Sequence, residues 1–118
     1  MAFDFEKLIV WRKTAELSEK VNEIVITFPA NELYIVVSQF NRAADSISLN
    51  IVEGSTGQYA EFKKSLGYAF RSDMETVGCL HLALRRKYIS NIGFEDLYKK
   101  CEEFLVMINA LRKSLIKL

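Results

Sequence analysis

The chain has few of the residues from which catalytic and metal sites are built. It contains one histidine and two cysteines among 118 residues. A single histidine excludes a metal site that needs two histidines from one chain. Gly78 also stands where a di-iron helix bundle carries glutamate, three residues before His81. Cys79 and Cys101 form no Cys-x-x-Cys pair, so we expect reduced thiols that pack as small apolar groups. These absences predict a protein without metal or cofactor.

Motifs for nucleophilic or phosphate chemistry are missing as well. The segment Gly54–Gly57 lacks the Lys-Ser or Lys-Thr pair of a P-loop, and no serine is visibly paired with a histidine. Adjacent carboxylates such as Glu102 and Glu103 are typical of a solvated helix face. We therefore expect no enzymatic activity.

The chain also lacks a strong net charge and a long apolar run. Its formal net charge is +1, which provides no global field to attract nucleic acid or an anionic membrane. No run approaches the roughly 18 apolar residues that cross a bilayer. The first residues place acidic side chains ahead of a short apolar patch, unlike a signal peptide. We expect a cytoplasmic protein with no membrane partner.

What the chain does have is apolar residues at alternating spacings of four and three, the pattern of helices with one buried stripe. No segment alternates in steps of two, as strands do. Short links favour antiparallel neighbours that cross at roughly 20°. The sequence therefore predicts one all-α domain, 1–118, folded as a left-handed up-down-up-down four-helix bundle. The stripes are Val10, Thr14, Leu17, Val21, Ile24 and Phe28; Leu33, Val37, Phe40, Ala44, Ile47 and Ile51; Phe62, Leu66, Phe70, Asp73, Val77, Leu80 and Leu84; and Leu97, Cys101, Phe104, Ile108, Leu111, Leu115 and Leu118.

Proline, glycine and capping residues predict where the helices end. The first helix runs from about Phe5 to Thr27, and Pro29 stops it. Gly54 is expected to close the second helix in a left-handed conformation. Asn31 is expected to cap the second helix, and Ser55 and Gln58 to form a capping box on the third. The third helix is predicted to end near Tyr88. The fourth starts near Phe94, with Glu95 and Asp96 in its first turn.

The second helix has two features besides its apolar stripe. A polar line lies roughly 140° around the helix from the stripe. It predicts an interhelical or intersubunit hydrogen-bond network, or else a ligand or nucleic-acid surface. Apolar residues also lie off the stripe, and a helix that is apolar on most sides is usually buried on most sides, which predicts self-association. The polar line is Gln39, Arg42, Ser46, Asn50 and Glu53, and the predicted subunit interface is Tyr34, Ile35, Leu49 and Val52.

Two charged features need partners. Asp73 interrupts the third stripe, and a buried carboxylate is costly unless it is paired or hydrated. One hypothesis is an ion pair with Arg42, either buried or between subunits, and the other is that water enters where the bundle splays. The cluster of Arg85, Arg86 and Lys87 ends the third helix, where cations complement the helix dipole. Repeated around a ring, this cluster is also a candidate contact for a nucleic-acid backbone.

Several sequence blocks, in this order, resemble a known family. They are FEKLIVW from Phe5, Phe28-Pro29, QFNRAADSI from Gln39 and NIVEG from Asn50, with Glu61-Phe62 and further positions in the third helix. The chain resembles bacterial four-helix-bundle proteins encoded by intervening sequences in 23S ribosomal RNA genes. The accessory variability protein of diversity-generating retroelements belongs to the same family. The resemblance covers almost the whole chain and implies an antiparallel bundle assembled as a homopentameric ring.

The chain departs from the retroelement member in its charge. That member looks like a nucleic-acid-binding partner of a reverse transcriptase with a markedly basic surface, whereas this chain is almost balanced. Gly57-Gln58 stands where many relatives carry arginine, and Asp73 occupies a position that is usually apolar. We therefore predict a non-enzymatic, self-assembling scaffold or adaptor whose client protein the residues do not identify. The alternative is an RNA- or DNA-binding accessory protein associated with a reverse transcriptase or with ribosomal RNA.

Overall fold

Four α-helices make up most of the chain. The computed structural model describes residues 4–115, except for the side chains of Asp4, Lys7, Leu33 and Tyr34. Within that range there is no strand, and the helices pack around a shared core with overall dimensions of 50 × 25 × 22 Å. The predicted all-α class is confirmed, and the arrangement is consistent with a four-helix bundle. The helices are α1 (Ile9–Val25), α2 (Ser38–Ser55), α3 (Tyr59–Arg85) and α4 (Asn91–Ser114).

The core follows most of the apolar stripes of α1, α2 and α4. Ile24, Leu111 and Leu115 are only half-buried, and Leu118 lies outside the described residues. α2 packs against α1 and α3, and α4 packs against α3 and α1, so the four helices enclose one interior. Phe40 and Phe104 are the largest side chains with almost no exposure. Burial of large apolar side chains contributes roughly 1.5–3 kcal/mol each, which makes these stripes the main source of stability. The fully buried members include Leu17, Val21, Phe40, Ala44, Ile47, Ile51, Leu97, Cys101, Phe104 and Ile108.

The buried stripe of α3 lies to one side of the predicted one. Phe62, Phe70, Val77 and Leu84 are only half-buried. The periodicity of large apolar residues therefore misplaced the centre of this face, because most of the residues packed between α3 and its neighbours are small or polar. The buried stripe consists of Leu66, Ala69, Asp73, Thr76, Cys79, Leu80 and Ala83.

Gly54 lies inside α2 and does not end it in a left-handed conformation. No described glycine has a positive φ angle. A Cβ atom on Gly54 would lie 2.5 Å from Ser65 Cβ and 3.0 Å from Phe62 Cδ1. Glycine is therefore needed here for the close approach of α2 to α3, and the prediction of a left-handed cap was wrong.

The chain enters α2 through irregular helical turns. A 3₁₀ turn, Ala30–Glu32, is followed by a π-helical segment, Leu33–Val37. The Asn31 cap is not formed, because the regular helix starts only at Ser38 and its cap position makes no side-chain hydrogen bond. A π turn adds a residue to the helical register. Val36, Val37 and Phe40 are all buried as a result of this local geometry.

The ends of α3 and α4 also differ from the predictions. Gln58 precedes α3 without a side-chain cap, and the Ser55 hydroxyl donates to the carbonyl of Val52 (2.7 Å), so the capping box is absent. α4 begins earlier than predicted, because the Ser90 hydroxyl accepts a hydrogen bond from the backbone N–H of Gly93 (3.0 Å). Asp96 consequently lies beyond the first turn, where it pairs with Lys100 at 3.0 Å.

α3 ends in a left-handed residue, Lys87, whose φ angle is 60°. The backbone N–H of Tyr88 donates to the carbonyl of Ala83, and that of Lys87 donates to Leu84. This pair of bonds is the Schellman motif, in which glycine is usually favoured at the left-handed position. A lysine there keeps the bonds at the expense of backbone strain.

Candidate functional site

The side of α2 that faces away from the core carries most of the residues that the sequence singled out. We call this surface the outer face of α2. It consists of Ile35, in the π-helical segment just before α2, and of Gln39, Arg42, Ser46, Leu49, Asn50, Val52 and Glu53. Ile35 is 59% exposed and Leu49 is 57% exposed, whereas Val52 is half-buried. The side chain of Tyr34, the fourth predicted interface residue, lies outside the described residues. Single exposed apolar side chains are common on protein surfaces, whereas a group of them bordered by polar residues is typical of an interaction site.

The polar line runs along this outer face. Gln39, Arg42 and Glu53 are exposed, and Ser46 and Asn50 are half-buried. The Asn50 side-chain amide donates to the backbone carbonyl of Ser46 (2.7 Å), within α2 itself. Among the described residues no hydrogen bond joins this line to another helix, so an interhelical network within one chain does not form. The intersubunit network remains a prediction.

The predicted ion pair between Arg42 and Asp73 is wrong. Arg42 lies on the exposed side of α2, whereas Asp73 is completely buried on the core side of α3. The alternative, a site open to water, does not fit an exposure of 0% either. Arg42 cannot reach Asp73 because the body of α2 lies between the outer face and the core.

The Asp73 carboxyl group is enclosed almost without polar contacts. Neither oxygen has a hydrogen-bond partner of good geometry among the described residues. The Thr76 hydroxyl, one turn away, donates instead to the carbonyl of Ser72 (2.8 Å). Burial raises the pKa of Asp73 to about 7, and the nearby Cys101 thiol, a weak donor, only partly opposes that rise.

The two cysteines are free and buried, as expected. Burial, and then the neighbouring Glu75 carboxylate, raise the pKa of Cys79 to about 11. Burial also raises the pKa of Cys101, and the adjacent Asp73 adds to the effect. Thiols held in the protonated form are poor nucleophiles and poor metal ligands.

No group of three or more His, Cys, Asp or Glu side chains with metal-binding geometry occurs in the described part of the chain. His81 is exposed, and its ring packs edge-on against Phe94 with ring centroids 5.1 Å apart. Its neighbours are thus aromatic and apolar. Nor does any helix among residues 4–115 have the length and apolar character needed to cross a membrane.

The basic cluster at the end of α3 is divided by the fold. Arg86 pairs with Glu32 at 3.2 Å, and the Glu32 side chain is only 14% exposed. Burial, followed by the same Glu32 carboxylate, raises the pKa of Tyr88. Arg85 and Lys87 remain exposed. Two of the three cations therefore have no acidic partner among the described side chains, and the third helps to attach the α1–α2 link to the end of α3.

Sequence reasoning missed a second group of cations that tertiary structure brings together. Lys64 and Arg71 on α3 meet Arg112 from the end of α4 around an open cleft. The only signal in the sequence was the seven-residue spacing of Lys64 and Arg71, which places both on one side of a helix. Arg112 was not predictable as their neighbour, because it is 41 residues further along the chain than Arg71.

Comparison with known proteins identifies the family. The model of the 23S rRNA-intervening sequence protein family matches residues 6–110. The fold is also similar to a crystal structure of a protein of unknown function from the S23 ribosomal protein family of Bacteroides thetaiotaomicron. The TM-score is 0.80, with 23% sequence identity, and the match covers 89% of this chain and 99% of that one. A search of curated protein sequences finds no match. Because the family model spans most of the sequence, the chain belongs to the 23S rRNA-intervening sequence protein family.

Proposed function

We propose that this protein is a non-enzymatic scaffold or adaptor that assembles with copies of itself through the outer face of α2. The observation that carries the proposal is the exposure of Ile35 (59%) and Leu49 (57%) on a face that also carries the polar line. A second copy would bury the apolar side chains and provide partners for Gln39, Arg42 and Glu53. The number of subunits, five in a closed ring, rests on the family resemblance.

The same proposal includes the direction of the helices, a left-handed bundle with antiparallel neighbours. Two ion pairs between α1 and α4 support it. Lys13, near the start of α1, pairs with Glu103, and Lys20, further along α1, lies 3.8 Å from Asp96, which is earlier in α4. Contacts that move forward on one helix and backward on the other are those of an antiparallel pair. Short links between consecutive helices favour the same arrangement.

We place the protein in the cytoplasm. Two free, buried cysteines support that location, because disulfides are rare and thiols persist in a reducing compartment. The absence of enzymatic activity is part of the proposal as well. It is supported by the composition of the chain, in which one histidine and two inaccessible thiols leave few groups suited to catalysis.

The other candidate function, nucleic-acid binding through Arg85, Arg86 and Lys87, has weaker support. Arg86 is already paired with Glu32, so a phosphate would compete with a neighbouring carboxylate. This function predicts binding that falls steeply with salt and that weakens when the three residues become alanine or glutamate.

The test of self-assembly is the mass of the particle in solution. Light scattering after size exclusion should give several times the chain mass of 13.6 kDa. Leu49→Glu or Val52→Glu should give smaller species with unchanged helical circular dichroism, because a charge cannot be buried at an apolar contact without large cost. The matched control is Val106→Glu on α4, where the side chain is 70% exposed, and it should leave the mass unchanged. A wild-type mass of one chain would refute the proposal.

A further inference from the structure

A basic cleft lies between the first half of α3 and the last turns of α4. Its volume is about 500 Å³, and it is open to solvent. Helical spacing explains its α3 side, since positions 64, 67, 68 and 71 share one face. Its lining consists of Lys64, Gly67, Tyr68, Phe70, Arg71 and Arg112, which include three cations and no carboxylate. We call it the α3–α4 cleft.

The cations of this cleft have no acidic partner among the described side chains. No described carboxylate oxygen lies within 4.0 Å of a side-chain nitrogen of Lys64, Arg71 or Arg112. The acid closest in sequence to Lys64 is Glu61, whose carboxylate packs against Gly57 at the start of α3. Elsewhere on the surface Lys13, Lys20, Arg86 and Lys100 do have acidic partners. The cleft is therefore a local positive site on an almost neutral chain.

Arg112 lines the cleft beside Gly67. A Cβ atom on Gly67 would lie 3.7 Å from Arg112 Nη2, so the guanidinium rests over a position that has no side chain. The Nε atom of Arg112 is buried and has no hydrogen-bond partner within the described chain. Because Nε is shielded from solvent, a ligand in the cleft would meet the terminal nitrogens of the guanidinium. Arginine presents its donors in a planar fork suited to phosphate oxygens.

The aromatic side chain in the cleft indicates which phosphate compound would bind. Tyr68 is 44% exposed and stands between Lys64 and Arg71 on the same face of α3. An exposed ring flanked by cations is the combination with which proteins bind single-stranded nucleic acids: bases stack on the ring and the backbone follows the charges. A free phosphate would use the cations but leave the ring without a contact.

We propose that the α3–α4 cleft binds single-stranded nucleic acid, with phosphates at Lys64, Arg71 and Arg112 and a base stacked on Tyr68. This site differs from the cluster at Arg85–Lys87. It also does not depend on self-assembly, because all of its described lining comes from one chain.

The test is fluorescence anisotropy with labelled 12-nucleotide oligouridylate RNA and oligothymidylate DNA, at 50 and 200 mM KCl. About three phosphate contacts on a single strand give a salt slope near 2, so fourfold more salt should weaken binding roughly 16-fold. Arg71→Gln and Arg112→Gln should each weaken binding several-fold and lower that slope by about 0.7. Comparing the two oligonucleotides shows whether RNA or DNA is the better ligand, and tight binding of either one supports the proposal.

The matched control removes one positive charge at a position outside the cleft. Lys99→Gln removes an exposed cation from the first half of α4, away from the cleft, and it should bind like wild type. Tyr68→Ala should weaken binding roughly tenfold with the salt slope unchanged, and Tyr68→Phe should restore it. The mass of each variant is measured in parallel, which separates loss of binding from loss of assembly.

Three results would overturn the inference. One is the absence of salt-dependent binding at 50 mM KCl to either oligonucleotide. Another is a loss in the Lys99→Gln control equal to that in Arg71→Gln, which would indicate diffuse charge attraction. The third is wild-type binding by Tyr68→Ala together with equal competition by inorganic pyrophosphate, which would reduce the cleft to a general anion site.

Discussion

Replacing Asp73 with asparagine should change how the stability of this protein depends on pH. The carboxyl group is buried with a pKa of about 7, against an ordinary value of 3.8. A difference of about 3 pKa units corresponds to roughly 4 kcal/mol. Asparagine has nearly the same shape but does not ionise, so it removes the cost of burying a charge.

Proton binding by Asp73 determines whether stability rises or falls with pH. Between pH 3.8 and about 7 the folded chain keeps the Asp73 proton and the unfolded chain has lost it. The free energy of unfolding therefore falls as pH rises through this window, and the contribution is constant above it. From pH 5 to pH 8 the wild type should lose roughly 3 kcal/mol through this one group. Asp73→Asn should lack that loss, although its buried amide costs a fixed amount at every pH.

The assay is urea unfolding followed by circular dichroism at pH 5, 6, 7 and 8, at one protein concentration. The quantity to compare is the variant's unfolding free energy minus that of the wild type, because contributions from all other groups cancel. This difference should rise by about 3 kcal/mol from pH 5 to pH 8, a midpoint shift of roughly 1.5 M for an m-value near 2 kcal/mol/M. Glu75→Gln, which replaces an exposed carboxylate on the same helix, is the control. Its unfolding free energy relative to wild type should vary by less than about 0.5 kcal/mol from pH 5 to pH 8. A difference for Asp73→Asn that does not vary with pH would refute the reasoning, since the folded protein would then hold an ordinary carboxylate.

Two glycine positions and one left-handed residue provide further predictions. Gly54→Ala should lower the unfolding free energy by roughly 1–3 kcal/mol, because its Cβ would meet Ser65 and Phe62, and thermal unfolding measures this. Gly78→Ala should instead raise the unfolding free energy by up to about 1 kcal/mol, because nothing lies within 4 Å of the new Cβ. A loss of stability at Gly78 equal to that at Gly54 would contradict the close-approach explanation. Lys87→Gly should raise the unfolding free energy by roughly 1 kcal/mol, because φ is 60° at this position, and Arg85→Gly, inside the last turn of α3, should lower it by a similar amount. Urea midpoints that move in the same direction for these two variants would count against a strained cap.

Periodicity alone was sufficient for the helical class and for the buried stripes of α1, α2 and α4. The reason is that large apolar residues at spacings of three and four can be buried together only if the segment is helical and that side of the helix faces the core. The exposed apolar residues of the second helix were also readable in the sequence, since Ile35 and Leu49 lie off its stripe. The family resemblance depended on ordered sequence blocks and is confirmed by the family match.

Tertiary structure decided the features that depend on what lies opposite a residue. Gly54 looked like a helix end, and only the closeness of Ser65 shows why it has no side chain. Asp73 and Arg42 looked like partners, but the fold places one in the core and the other in solvent. Arg112 joins Lys64 and Arg71 only because α4 packs on α3. Sequence periodicity fixes which side of a helix is apolar, whereas the identity of a neighbour depends on helix register and packing distance, which no single segment encodes.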